Sequence, residues 1–270
     1  MSGTIHVDTH GEHIAVIRID RPEARNALSP KILCALADAF LAVKADSRTR
    51  VMVLTGTGDA AFCSGGDLGL TLPLMTGARV PQDEFDRRLL EDERTLEISS
   101  LRDFDIVKPT ICAINGVCFA AGFELMLGTD IRIAADHAQF GLPEVQRALL
   151  PFAGSMARLP RQVPTAAAMQ LLLTGRPFSA QQALQWGLVT ELMPSDQLLA
   201  RALELAEQIA GNGPVAVQAV RRTAIQSSGL ALHSAFALEN GAKREVMRSQ
   251  DAREGPLAFI EKRAPKFIGR

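Results

Sequence analysis

Three things are scarce in this 270-residue chain: charge of one sign, long unbroken apolar runs, and paired cysteine motifs. Twenty-nine Lys and Arg stand against 30 Asp and Glu, a formal charge of -1, so no global field draws the chain to nucleic acid or to an anionic membrane. An anionic ligand would need a local patch. The richest apolar stretch, TICAINGVCFAAGFELMLGTDIRIAA, is interrupted by Asn115, Glu124 and Asp130, too often for a membrane span. The opening MSGTIHVDTHGEH turns polar at once, so no secretory leader is expected. Cys34, Cys63, Cys112 and Cys118 sit in apolar segments without C-x-x-C spacing. That pattern fits reduced core thiols in a cytoplasmic protein rather than a zinc site or a disulfide frame.

What is present describes an ordinary globular protein, 47% hydrophobic and 22% charged, long enough for one large domain or two small ones. Ile14 to Ile19 alternates as a strand, paired with His6 to Asp8 through a turn near Gly11. Ser29-Pro30 supplies an N-cap and an N1 proline for a helix reaching Lys44. Buried strands are expected at Val51 to Leu54, Thr110 to Ile114 and Ile131 to Ala134, with a short helix over Ala120 to Leu127. The segment from Leu72 to Asp103 is charged and helical in pattern, with an irregular entrance at Gly77 and Pro81. Such alternation argues for an α/β fold with parallel strands and helical crossovers. Beyond Met193 the pattern turns wholly helical, over Ser195 to Ala210, Pro214 to Ser227, Leu230 to Arg248 and Ala252 to Arg263. Asp251 and Glu254 are spaced as a capping box for the last of these.

Two glycine signals lie close together in VMVLTGTGDAAFCSGGDLGL. Gly56, Gly58 and Ala61 fit the G-x-G-x-x-A spacing of a dinucleotide turn. A nicotinamide site should then run into an amphipathic helix and meet an acidic residue at the end of a second strand about 20 positions on. Here the turn meets AFCSGGD instead, and the stretch around Asp83 has no strand before it. His6, His10 and His13 would make a metal site only on a helix; on a strand, four residues separate side chains by about 13 Å. A solvated hairpin is expected. Cys63 and Ser64 lack a G-x-S-x-G elbow or a nearby histidine, and turn and core roles are expected for both.

The remaining signal is a pair of tight turns, SGGDL after the Val51 strand and FAAGFE after the Thr110 strand. Each would place backbone amides at a helix start, where unpaired N–H groups bind an oxyanion. Glu124 lies in the apolar helix FELML, and Glu144 in the loop FGLPEV. A glutamate among Phe, Leu and Met is costly to bury as an anion, which pushes it toward the range useful for proton transfer. Taken singly, each glutamate could equally cap a helix or pair with an arginine such as Arg147.

At these residues the sequence resembles the crotonase family, the enoyl-CoA hydratase and isomerase group. The resemblance runs through RIDRPEARNALS, AFCSGGDL, KPTICAINGVCFAAGFELMLGTDIRIAADHAQFGLPEV, LLTGRPFSAQQALQWGLVTEL and AFIEKR, in that order. It implies a spiral of repeated ββα units over 1–195 and a helical trimerisation subdomain over 196–270, assembling as a homotrimer or a dimer of trimers. The implied substrate is an acyl-CoA thioester, with coenzyme A part of the substrate and no metal or separate cofactor.

Carried onto this chain, the oxyanion amides are those of Gly66 and Ala121, where the family commonly has glycine at the second position. Nucleotide and pantetheine contacts fall on Ala24, Arg25, Ala27, Ser64, Asp67, Leu68 and Gly69. Lys262 matches a phosphate-facing lysine, or is a surface lysine. A phenylalanine that often covers the adenine is replaced near Lys243. Carboxylates at both Glu124 and Glu144 imply syn hydration of a trans-2-enoyl thioester. An isomerase using Glu144 alone and a non-catalytic acyl-CoA binder are the alternatives, with a nicotinamide oxidoreductase the third. Leu72, Leu74, Met75, Phe119, Leu149 and Phe152 are expected around the acyl tail.

Overall fold

The computed structural model describes residues 3–270; the first two residues of the polar N-terminal stretch lie outside them. Strands β1 (Thr4–His10) and β2 (Ile14–Asp20) form an antiparallel hairpin. Helix α1 (Pro30–Ala45) opens with Pro30 at N1 and Ser29 as N-cap, whose hydroxyl accepts from Ile32 N–H. Three ββ turns follow, each placing its first strand in one sheet and its second in another. They are β3 (Val51–Gly56) with β4 (Ala61–Cys63), β5 (Thr110–Ile114) with β6 (Val117–Phe119), and β7 (Ile131–Ala135) with β8 (Gln139–Gly141). The intervening helices are α2 (Thr71–Met75), α3 (Glu84–Glu91), α4 (Glu93–Ser99) and α5 (Ala121–Leu127). A 3-10 turn over Pro143–Arg147 leads to α6 (Ser155–Gln162), α7 (Thr165–Thr174), β9 (Phe178–Ser179), α8 (Ala180–Gln185) and β10 (Glu191–Met193).

The large sheet has the order β1-β2-β3-β5-β7-β10, parallel from β2 onward; the small one has the order β4-β6-β8-β9, with only β9 antiparallel. This is the expected ββα spiral. Every residue of β3 and β5 is buried, as a parallel strand covered on both faces requires. Helix α9 (Ser195–Ala210) lies across β2, β3, β5 and β7 and adds Leu198, Ala202, Ala206 and Ala210 to the core. It therefore covers the sheet, although its sequence pattern groups it with the C-terminal helices. Helices α10 (Pro214–Ser227) and α11 (Leu232–Val246) pack on each other, each with a single buried alanine, Ala219 and Ala235.

Helix α12 (Asp251–Ile260) corrects the capping-box expectation. Its N-cap is Gln250, and the Asp251 carboxylate accepts instead from Ile268 N–H and Gly269 N–H, both at 2.8 Å. The returning C-terminal tail offers two N–H groups where the box offers one. Glu254 likewise turns to Arg263 and to Lys266 N–H. The charged stretch before β5 holds three short helices, interrupted at Gly77 to Gln82, where the irregular entrance was expected, and at Asp92, whose carboxylate accepts from Arg94 N–H.

Candidate active site

The small sheet positions the site. Gly66 lies three residues past β4, Ala121 and Glu124 just past β6, and Glu144 three residues past β8. These strands are adjacent and parallel, so the three segments emerge side by side at their C-terminal ends, where parallel sheets leave a crevice. The SGGDL turn thus follows β4, not the Val51 strand, and α2 begins only at Thr71, so the Gly66 amide is not at a helix start. Its freedom has another cause. Leu28 N–H donates to Gly65 O at 2.8 Å and Asp67 N–H to Leu28 O at 3.0 Å, so the alternating backbone turns the Gly66 N–H the other way. Ala121 is the first residue of α5, where an N–H has no intrahelical acceptor. Among the described residues neither amide has a backbone partner.

Close packing brings the two turns together. A Cβ on Gly65 would lie 2.6 Å from the Ala120 Cβ, and Gly65 has φ +107, so only glycine fits there. A Cβ on Gly122 would lie 2.6 Å from Cys63, which lets α5 press directly on β4. Ala120 has φ 52 and ψ -129, a conformation that strains any residue with a side chain. Its own N–H is held by Gly141 O at 2.9 Å.

A cavity of about 450 Å³ opens from this junction, lined by Gly66, Ala120, Ala121, Glu124 and Glu144 together with a mostly apolar wall. The expected tail residues Leu72, Met75, Leu149 and Phe152 lie in that wall. Leu74 and Phe119 do not: Leu74 is in the core, and the Phe119 ring packs beside Gly141. Leu28, Leu33, Leu96 and Leu150 line it as well, positions the sequence pattern did not single out.

Glu124 is 2% exposed. Its Oε1 accepts from Ser155 N–H at 3.1 Å and Ser155 Oγ–H at 2.9 Å. Glu124 therefore does cap a helix, α6, while also facing the cavity. Burial pushes its carboxyl above the ordinary glutamate value, opposed by the Ser155 N–H and hydroxyl, the Ala153 N–H and the Arg158 charge. Glu144 is half-buried and differently served. Its Oε2 is buried without a hydrogen-bond partner, and Arg147 turns its guanidinium to Pro143 O at 3.2 Å instead of pairing with it. Burial pushes Glu144 up to about 7, with the nearby Glu124 charge adding to the effect. A buried carboxylate oxygen with no donor is costly as an anion, so the proton of the pair belongs on Glu144.

The other residues that the resemblance implies lie mostly on two adjoining segments. Ser64 N–H donates to Arg25 O at 3.0 Å and Ser64 Oγ–H to Ala24 O at 3.4 Å, joining the segment holding Ala24, Arg25 and Ala27 to the turn holding Asp67, Leu68 and Gly69. Of these, only Leu68 lines the cavity, and it is exposed at its mouth. The Asp67 carboxylate is taken up internally by Arg21, Gly69 N–H and Leu70 N–H. Although burial works against it, these partners hold it below the usual carboxylate range. Lys262 is exposed on the turn after α12 and does not line the cavity.

Two asparagines brace the Gly56-x-Gly58 turn. Asn115 accepts from Gly56 N–H at 3.1 Å and donates to Gly58 O and Ala61 O, while Asn26 donates to Thr57 O and Ala61 O. The histidines disperse to separate partners: His6 to Asp20, His10 to Glu207 and His13 to Arg48 O. No cluster suited to a metal ion occurs among the described residues. The four cysteines are free and buried.

At the end of parallel strands, two backbone amides without backbone acceptors and two carboxylates thus line one cavity, an arrangement chemically able to hold an oxyanion next to proton-transfer groups. Comparison with known proteins shows the family. The family model described as "Enoyl-CoA hydratase/isomerase" matches residues 9–270, and the chain belongs to this family, the crotonases. Its relatives include the carnitinyl-CoA dehydratase of Proteus mirabilis, 37% identical over the full length of both chains. The enoyl-CoA hydratase EchA19 of Mycobacterium tuberculosis is 39% identical over 96% of this chain and 94% of its own. Among solved structures, the enoyl-CoA hydratase of Bacillus anthracis superposes with a TM-score of 0.88 at 35% identity, covering 99% of this chain and 100% of that one. Members of the family act on acyl-CoA thioesters. No helix of the described residues is long and apolar enough to cross a membrane.

Proposed function

We propose that the protein is an enoyl-CoA hydratase, adding water to a trans-2-enoyl-CoA to give the 3-hydroxyacyl-CoA, with coenzyme A as part of the substrate. The observation that carries this reading is the meeting of the Gly66 and Ala121 amides with both Glu124 and Glu144 in one cavity. The thioester oxygen sits between the two amides, which take up enolate charge as it develops; one such donor contributes about 3 kcal/mol to lowering the barrier. Glu124, as the anion, accepts a proton from the water as its oxygen bonds to C3. The π electrons of C2=C3 move toward the thioester, and the Glu144 proton goes to C2. The net transfer from Glu144 to Glu124 is reversed before the next turnover.

The relatives' name supplies a second reading, in which the acyl group is carnitinyl. Its quaternary ammonium is recognised by aromatic faces or a carboxylate. The chain has no tyrosine, and its single Trp186 packs on Phe178 at 5.1 Å, outside the cavity. Among the described residues, Phe152 is the one aromatic side chain in the lining, and its only charged groups are the two glutamates, both given to proton transfer in the first reading. The lining hydroxyls of Thr71, Ser99 and Ser100 are spent on Leu28 O and Leu96 O. This wall favours an uncharged hydrocarbon tail. The deciding experiment follows loss of the conjugated enoyl thioester over a panel of chain lengths, with the trimethylammonium analogue and a 3-enoyl thioester alongside. Hydration of unbranched 2-enoyl thioesters supports the reading. Turnover of the ammonium substrate alone, or conversion of 3-enoyl to 2-enoyl without hydration, overturns it.

We infer assembly as a trimer or a dimer of trimers in the cytoplasm. Its support is the apolar surface of the C-terminal helices, with Phe259 86% and Ile260 76% exposed in the single chain. Lys262, next to these residues, would then face the coenzyme A phosphates of an assembled site. Sedimentation tests the assembly, and a fully active monomer contradicts it.

A further inference from the structure

We propose that Ser155 is a positioning residue for the reaction, its N–H and its hydroxyl together gripping Oε1 of Glu124 so that the other carboxylate oxygen is presented to the cavity. The proposal rests on Glu124 acting as the base on water in the reading above.

Ser155 is fully buried at the first position of α6, and both its donors go to one oxygen, 31 residues away in sequence. At that position any residue brings a spare N–H, which needs an acceptor. The hydroxyl is different. A serine that served only its own helix would bond a neighbouring backbone group, whereas this one reaches across to α5. Two donors converging on one oxygen fix both the rotation of the carboxyl group and the identity of its outward oxygen.

The platform beneath is anchored. Arg158 N–H donates to Gly154 O at 2.9 Å, and the Arg158 guanidinium reaches Leu101 O and Arg102 O, tying the first turn of α6 to the loop that follows α4. Gly154, with φ +120, supplies the sharp entry. A hydroxyl on this turn therefore meets Glu124 at a set distance instead of following a mobile loop.

Few other groups near Glu124 can titrate. Helix α5 packs against α6, β6 and β4, which bring Arg158, Cys118 and Cys63. Burial pushes the Cys63 thiol up to about 12 and Cys118 well above its ordinary value, so both stay neutral. Arg158 stays charged at working pH. Glu144 is the one remaining titrating neighbour. A change in the acid limb of the rate profile on altering Ser155 therefore reports on Glu124.

The test compares Ser155→Ala with Ser155→Thr in the full-length protein. Hydration of a 2-enoyl-CoA thioester is followed from pH 5 to 9, and the Glu124 carboxyl is titrated by carbon-13 NMR in a Glu144→Gln background. The alanine variant is expected to lose about tenfold to a hundredfold in kcat, the weight of a hydrogen bond to a charged group, with KM little changed. Its acid limb and its Glu124 titration should both move to higher pH, and threonine should restore most of each. Loss of thermal stability alone, with kcat, pH profile and carboxyl titration as in the wild type, overturns the proposal. A wild type that hydrates nothing while the carboxyl titration still moves in Ser155→Ala separates failure of the hydratase reading from failure of the grip.

Discussion

At Glu124 the chain brings two Ser155 donors to a single carboxylate oxygen, whereas at Glu144, in the same cavity, an enclosed oxygen receives none. Both groups are pushed upward by burial, yet the opposing influences differ: two N–H groups, a hydroxyl and an arginine at Glu124, against its own backbone and the Arg147 charge at Glu144. Donors favour the charged form, and their absence favours the protonated one. In the proposed hydration, two residues of one type are thereby suited to opposite roles, Glu124 to accept a proton and Glu144 to give one. Residue type alone carries none of that difference; it lies in which neighbouring helix points its amide where.

Replacing each carboxylate by its amide breaks the comparison most severely. Glu124→Gln and Glu144→Gln should each lose about a hundredfold to ten-thousandfold in hydration with KM little changed, measured by steady-state kinetics. If Glu124→Gln keeps near-normal hydration, the two carboxylates are not partners. Next in size, Gly66→Pro deletes an oxyanion N–H and should cost about a hundredfold to a thousandfold in kcat, with the fold checked by circular dichroism. Gly66→Ala keeps the N–H, and its methyl meets nothing within 4 Å, so its loss should be the smaller and should depend on acyl length.

Acidity sharpens the comparison further. With Glu144 at about 7, the rate should fall on the alkaline side of that value as the general acid is lost, and the residual activity of Glu144→Gln should lack that limb. Stability follows the same sign. A carboxyl raised in the folded state contributes its stability below the ordinary glutamate value of 4.5 and loses it as pH rises through about 7. Chemical denaturation should thus show Glu144→Gln gaining on the wild type at pH 8 relative to pH 5. The smallest effect is expected at Ala120, whose φ of 52 suits glycine. Ala120→Gly should raise stability by about 1 kcal/mol, the relief of strain less the added chain entropy, read as a small rise in Tm.

Most of the large sheet and the long C-terminal helices were legible because their apolar periods are long, whereas α6, α7, α8 and the three-residue β10 were not anticipated. The helices at Ser195–Ala210 and Pro214–Ser227 fall where the pattern puts them, as do the buried runs of β3 and β5. The small sheet was not legible, since β4, β6 and β8 have three residues each, too few to show a period. Yet this sheet aligns the site, so the segments carrying Gly66, Ala121, Glu124 and Glu144 came from family resemblance and local chemistry, not from strand pattern. Glycine spacing misled at Gly56 and Gly58 because it says nothing about acceptors; Asn26 and Asn115 occupy that turn from distant segments. Asp251 misled similarly, its carboxylate claimed by a tail that returns 17 residues later. Ser155 left no sequence signal beyond a small polar residue before MARLP, since its role depends on α5 packing against α6.

The central claim is that Glu124 and Glu144 act together, one taking a proton from water and the other giving one to C2, from a single wall of the cavity. Hydration of a trans-2-enoyl-CoA in deuterium oxide tests it most directly, with proton NMR assigning the relative configuration of the C2 deuterium and the C3 hydroxyl. The account predicts a 3-hydroxyacyl-CoA with one deuterium at C2, on the same face as the hydroxyl. An anti product, or deuterium entering C2 without any hydroxyl at C3, would contradict it.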